Sequence, residues 1–195
     1  MRRRSANSVN HAEPSLVDKV VAVDRSLTAA GVRYAFGGAL ALAYYTLEPR
    51  ATADIDVNVT VDATDAERIF RALPDGVAWT DVDLTRALDD EQVRLWWGRT
   101  PVDLFFRASE FHDAAADRVE MHPFGTHTLP FLSAQDLVVF KSLFDRPKDW
   151  VDISAMHAAG AFDVVVAVGV LRSLIGDDPR VDQLARVASN DASPP

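Results

Sequence analysis

An α/β (α+β) fold, with a mixed-sheet core and a helical C-terminal region, is predicted by three features of this sequence. Strand-like and helix-like segments alternate through the first two-thirds. One segment alternates strictly, with Ile55, Val57, Val59 and Val61 on one face and Asp54, Asp56, Asn58 and Thr60 on the other. From Ser133 onward only helical patterns remain. A chain of 195 residues that is 48% hydrophobic suits one compact unit with a real core. The expected divisions are a disordered basic arm over 1–12, a core over 13–132, a helical region over 133–190 and a frayed tail over 191–195.

Each element has its own signal. Leu16, Val20, Val23 and Leu27 recur at helical spacing, and Gly31 is placed to end that helix. "VRYAF" (32–36) reads as a strand, Gly37-Gly38 opens a helix over "ALALAYYTL", and Pro49 stops it. After the alternating strand, Thr64 to Glu67 looks like a capping box for a helix carrying Ile69, Phe70 and Leu73, and "PDG" (74–76) is a turn. "QVRLWW" and "PVDLFF" form a hairpin through 98–100. "ASEFHDAAADRV" is helical and "THTLPFL" extended, with His122 and His127 flanking a turn. Ser133 and Asp136 start the helix "AQDLVVFKSLF", which Pro147 breaks; "KDWVDISAMHAAG", "FDVVVAVGVLRSLIG" and "PRVDQLARVA" are three more helices.

Composition removes several function classes. The absence of cysteine excludes disulfides and thiolate metal sites and fits a reducing cytoplasm. No apolar run is long enough to cross a bilayer, and no apolar segment follows the basic "MRRRSANSVN" to make a secretory signal. A formal charge of −9 argues against broad nonspecific nucleic-acid binding but is compatible with a local basic groove. The histidines lack a second ligand at zinc-site spacing, and neither G-x-S-x-G nor a Walker loop occurs. Trp96 and Trp97 must face opposite ways on one strand, so one is open to base stacking or to edge packing.

The residues that carry chemistry are acids and glycines. Asp54 and Asp56 lie on one face of a strand, Cα atoms roughly 6–7 Å apart. Such a pair suits a hard cation such as Mg²⁺, which keeps phosphate oxygens as co-ligands; the plain alternative is an acidic polar face. Gly37-Gly38, between a strand and a helix, lets backbone N–H groups approach phosphate, or simply makes a tight turn. Asp103 sits among Val102, Leu104, Phe105 and Phe106, where a carboxylate needs a partner, either a metal or an arginine.

Together, Gly-Gly, then D-x-D on the next strand, then a later strand acid resemble the polymerase-beta-type nucleotidyltransferase superfamily. The resemblance implies a nucleotidyltransferase-type sheet core. Gly37 and Gly38 would hold the triphosphate, Asp54 and Asp56 would bind Mg²⁺, and Asp103 would join them and help activate the attacking hydroxyl. Gly-Gly replaces the commoner Gly-Ser, which removes one hydroxyl contact to phosphate. Further on, "DLVVFKSLFDRPKDWVDI" is similar to AbiEii-like nucleotidyltransferase toxins, including the MenT group. That likeness makes Lys141 the triphosphate lysine and Asp149 or Asp152 the late acid near the site. A lysine is a mobile point charge suited to phosphate, and the two acids share a helical face; alternatively Lys141 pairs with Asp145 on a solvated face. Arg50, ahead of the acidic strand, is a candidate phosphate contact. Thr52 stands where members of this toxin group carry a Ser or Thr that the antitoxin phosphorylates.

The resemblance implies a toxin that uses an NTP, with CTP or UTP favoured, to modify the 3′ end of tRNA and block translation, and that is opposed by a cognate antitoxin. Transfer to a small molecule or protein, and a catalytically silent interaction protein, are the competing expectations. No membrane partner is expected.

Overall fold

The computed structural model describes residues 13–48 and 51–188. The expected arm, Pro49, Arg50 and the tail lie outside these residues. In chain order the elements are α1 (Leu16–Ala29), β1 (Tyr34–Phe36), α2 (Gly38–Leu42), β2 (Ile55–Val59), α3 (Ala66–Ala72), β3 (Val77–Ala78), α4 (Asp81–Asp90), β4 (Gln92–Trp97) and β5 (Thr100–Phe105). Then follow α5 (Glu110–Asp117), β6 (Glu120–Phe124), β7 (His127–Phe131), α6 (Ala134–Phe144), α7 (Pro147–Ala158), α8 (Val164–Ile175) and α9 (Pro179–Val187).

The strands form one mixed sheet in the order β3-β4-β5-β2-β1-β7-β6. β2 runs parallel to β5, β1 parallel to β7, and the remaining neighbours are antiparallel. Alternation sets the sheet's two faces. Ile55, Val57, Val59, Val102, Leu104, Val93 and Leu95 are buried, which leaves Asp56, Asn58, Asp103, Phe105, Arg94 and Gln92 on the opposite side. The β4–β5 hairpin closes through Gly98, whose φ of +60° a side chain would strain. Lys19, buried on α1, fastens that hairpin by donating to the Trp97 carbonyl at 2.9 Å, Thr100 Oγ1 at 3.0 Å and Glu13 Oε1 at 2.6 Å. A single apolar cluster takes in the strands and the last four helices, with Phe36, Ile55 and Leu104 joined to Val138, Ile153, Leu171 and Leu184. No helix among the described residues is long and apolar enough to cross a membrane.

Several boundaries differ from expectation, each for a local reason. α2 ends at Leu42 rather than running through Leu47. Tyr44 and Tyr45 are instead pulled toward β6 and β7, where their hydroxyls donate to the Pro123 and Leu132 carbonyls at 2.6 and 2.9 Å. Thr64 lies inside a 3-10 turn (Ala63–Asp65), so it cannot cap α3, which begins after Asp65 without a side-chain cap. α4 was not expected. Its signal was Thr80 and Asp83: the Asp83 carboxylate accepts from the Thr80 N–H and Oγ–H, both at 2.8 Å. His122 and His127 lie on paired strands, β6 and β7, closed by Gly125 at φ +60°.

Candidate active site

Register brings the acids together. Asp56 on β2 lies directly beside Asp103 on β5, and Asp103 faces Arg94 on β4. The Arg94 guanidinium forks onto Asp103, Nε to Oδ1 at 2.8 Å and Nη2 to Oδ2 at 2.7 Å, and Nη2 stands 3.8 Å from Asp54 Oδ2. Of the two partners the sequence allowed for Asp103, this conformation uses the arginine. Asp54 precedes β2 by one residue, and its N–H donates to Thr52 Oγ1 at 3.1 Å.

Asp56 is the strained acid of the group. Burial, then the charges of Asp103 and Asp54, push its carboxyl up to about 6, against the weaker pull of Lys141 and Lys148. Arg94 is pushed upward in turn by its hydrogen bonds to Asp103.

The diglycine turn packs against this carboxylate. Gly37 N–H donates to the Asp56 carbonyl at 2.9 Å, which sews the turn to the acidic strand. That amide is therefore spent on the backbone. Gly38 has φ +52°, and a Cβ there would stand 1.9 Å from Asp56 Oδ2; a Cβ on Gly37 would stand 2.7 Å from Asn58 Nδ2. Only glycine lets the carboxylate lie this close to the turn.

The helical residues complete the wall. Gly38, Asp56, Asn58, Lys141, Phe144 and Arg146 all line one cavity. Lys141 is buried and donates to Asp152 Oδ2 at 2.7 Å, with Asp149 Oδ1 at 3.6 Å; Asp145, the alternative partner, caps α6 and accepts from Trp150 Nε1. Asp149 and Asp152 are buried behind the lysine and are not in the cavity wall. Arg146 Nε donates to Asp149 Oδ2 at 2.6 Å. On the outer side a groove of about 290 Å³ is lined by Asp103, Arg94, Arg86, Asp90 and Arg146. Trp96, on the same face as Arg94, is exposed, whereas Trp97 packs beside Gly76.

Two arginines and one phenylalanine of this site were not singled out from sequence. Arg94 was countable: four residues outward from the Gly98-Arg99 turn on each side, residue 94 meets residue 103. Phe144 gave no such signal, and Arg146 stood only as the arginine after the break in the toxin-like pattern, without a role, because the corner between α6 and α7 sets their position.

Among the described residues, no three acidic or imidazole groups converge as a preformed metal cage. Arg94 occupies Asp103, and the charge of Asp54 helps to raise the proton affinity of Asp56. The donor set still fits a hard cation at Asp54 and Asp56: oxygen ligands carry surplus negative charge, one has its proton affinity raised, and the glycine opposite leaves room. Asp103 can join only by releasing Arg94.

No family model matches the sequence, and no curated protein does. A solved structure shares its fold. The antibiotic-resistance factor ANT(2'')-Ia is 14% identical, over 93% of this chain and 95% of its own, with a TM-score of 0.51. An antigenic nucleotidyltransferase-like protein from Paracoccidioides brasiliensis is 12% identical over 92% and 91%, with a TM-score of 0.49. At these identities the likeness is one of fold. The chain shares the mixed α/β fold of that resistance factor, and the acids and the diglycine turn meet on one face of its sheet.

Proposed function

We propose that this protein is an Mg²⁺-dependent nucleotidyltransferase that moves a nucleotidyl group from an NTP to a hydroxyl acceptor. The observation that carries the reading is the in-register pair Asp56 and Asp103, set against a turn where only glycine fits. Asp54 and Asp56 would hold the cation, which when bound supplies charge neutralisation to the triphosphate and polarises the α-phosphate. Gly38 gives the triphosphate access to these acids. Lys141, fixed by Asp152 and Asp149, offsets charge on the phosphates from the opposite wall. The acceptor oxygen forms the new bond to the α-phosphorus as the bond to the β-phosphate breaks and pyrophosphate leaves. The hydroxyl proton passes to Asp103, the acid that borders the outer groove.

The acceptor in this reading is the 3′ end of tRNA, with CTP or UTP as donor, and the protein is the toxin of a toxin–antitoxin pair. Support comes from the Lys141 to Asp152 pattern and from the groove, where Arg86, Arg94 and Arg146 suit a phosphate backbone and Trp96 offers a stacking surface nearby. Phosphorylation of Thr52 by the antitoxin would add about −1.5 to −2 charge beside Asp54 and repel the triphosphate. Transfer to a small molecule is the second reading, favoured by the fold likeness to an antibiotic-resistance factor.

The test is incubation of the protein with each labelled NTP, Mg²⁺, total RNA and candidate small molecules. Label at tRNA 3′ ends, lost in Asp56→Ala, is the expected result. Label on a small molecule or protein with none on RNA would reject the tRNA acceptor. No transfer to any acceptor, together with growth inhibition that persists in Asp56→Ala, would favour a silent interaction protein.

A further inference from the structure

Phe144 and Arg146 are built into a shape that the chemistry above does not use. Phe144 ends α6, three residues beyond Lys141, and remains 37% exposed at the wall of the cavity. One side of its ring meets Phe105 of β5, centroids 5.3 Å apart and planes at 52°. Over the ring lies the Arg146 guanidinium, Cζ 4.8 Å from the centroid. The guanidinium is fixed in plane by Asp149, whose oxygens accept from Nε at 2.6 Å and Nη2 at 3.2 Å. Asp149 is fully buried, whereas half of the Arg146 side chain is exposed. The backbone around it is equally constrained. Asp145 takes a left-handed turn at φ +56° and Pro147 starts α7, so Arg146 sits in a two-residue corner between two helices.

A planar cation, backed by an aromatic ring and held by a buried carboxylate, is a stacking surface rather than a mobile counter-charge. Its place in the site indicates what would lie on it. Arg146, Phe144 and Phe105 share their cavity with Gly38, Asp56 and Lys141, the residues assigned to the triphosphate and its cation. Asp149 touches both Arg146 and Lys141, so one carboxylate sets the spacing between a phosphate-facing charge and a flat surface. Phe105 is two residues beyond Asp103 on the same sheet face, roughly one 6–7 Å pleat away.

We propose that Arg146, stacked on Phe144 and pinned by Asp149, is the platform on which the nucleobase of the donor nucleotide lies. The proposal rests on the nucleotidyl-transfer reading and extends it from the phosphates to the base. Stacking tolerates any base, because every base has a π-face, so the platform supplies affinity and not the choice of nucleotide.

The test compares binding of CTP and of inorganic tripolyphosphate, each with Mg²⁺ and without acceptor, by calorimetry on the full chain. Wild-type protein is expected to bind CTP more tightly than tripolyphosphate. Arg146→Lys, which keeps charge and loses the plane, and Phe144→Leu, which keeps apolar volume and loses the ring, should weaken CTP binding roughly five- to a hundredfold with tripolyphosphate unchanged. Unaltered CTP affinity in both variants would overturn the platform while leaving nucleotidyl transfer standing. Equal losses for CTP and tripolyphosphate would make Arg146 a phosphate contact and overturn it too. A wild-type protein that binds neither ligand would instead remove the underlying reading.

Discussion

The acids of the sheet and the acids of α7 differ in how their charge is matched: Asp56 lines the cavity that it shares with Lys141, whereas Asp149 and Asp152 are buried out of its wall. On the sheet, among the described residues, Asp54 and Asp103 share one contacting cation, Arg94, and the charges of both acids bear on Asp56. On α7, among the described residues, Asp149 pairs with both Lys141 and Arg146, and Asp152 pairs with Lys141. Burial follows the same division. Asp149 and Asp152 are buried and matched, whereas Asp54 is substantially exposed and Asp56 is under-neutralised. A matched buried cluster fixes geometry; an unmatched, accessible one attracts a cation. Residues of the same type therefore do different work.

The comparison breaks most visibly at Asp56. Asp56→Asn should lower transfer by about 10²–10³ or more, as expected when a transition-state charge stabiliser is lost. The same change should leave the cation-free protein as stable or more stable at pH 7.5, measured by thermal unfolding. The sign follows from the raised carboxyl. Its stabilising contribution is complete below the unfolded aspartate value of about 4 and is lost as pH rises through about 6, so nothing stabilising remains at pH 7.5 for asparagine to remove.

Asp152 should behave in the reverse way. Asp152→Ala leaves Lys141 with less of its buried partner set and is expected to cost about 3–5 kcal/mol in urea unfolding, the range for a broken buried pair. Full stability in Asp152→Asn with transfer abolished would move this acid into the group that works directly on substrate. Arg94→Gln is the mildest change. The pair with Asp103 is partly exposed on the arginine side, so stability should shift by no more than about 1 kcal/mol. Removing the competing guanidinium should raise divalent-cation affinity severalfold, read by Mn²⁺ titration; unchanged affinity would show that Asp103 is not withheld from a cation by Arg94.

Much of this was legible before any coordinates. The alternation from Asp54 to Val59 gave the acidic face directly, since a period of two depends only on local geometry. The Ser133 cap was readable for the same reason, whereas Pro147, read as the break after α6, is the first residue of α7. Hidden features depended on contacts distant in sequence. α2 is cut short by tyrosine contacts to residues nearly eighty positions away, and β6 was obscured by Pro123 within an edge strand. In the site, the acids could be named from spacing, but the arginine beside Asp103 required the hairpin register. The Phe144 and Arg146 stack required the angle between two helices.

The central claim, that the sheet acids form an under-neutralised cation site, is tested most directly by the thermal shift that Mn²⁺ produces at pH 5.0 and at pH 7.5. The account predicts a clear upward shift at pH 7.5, a much smaller one at pH 5.0 where Asp56 holds its proton, and little in Asp56→Asn at either pH. Equal shifts at both pH values, retained in Asp56→Asn, would contradict it.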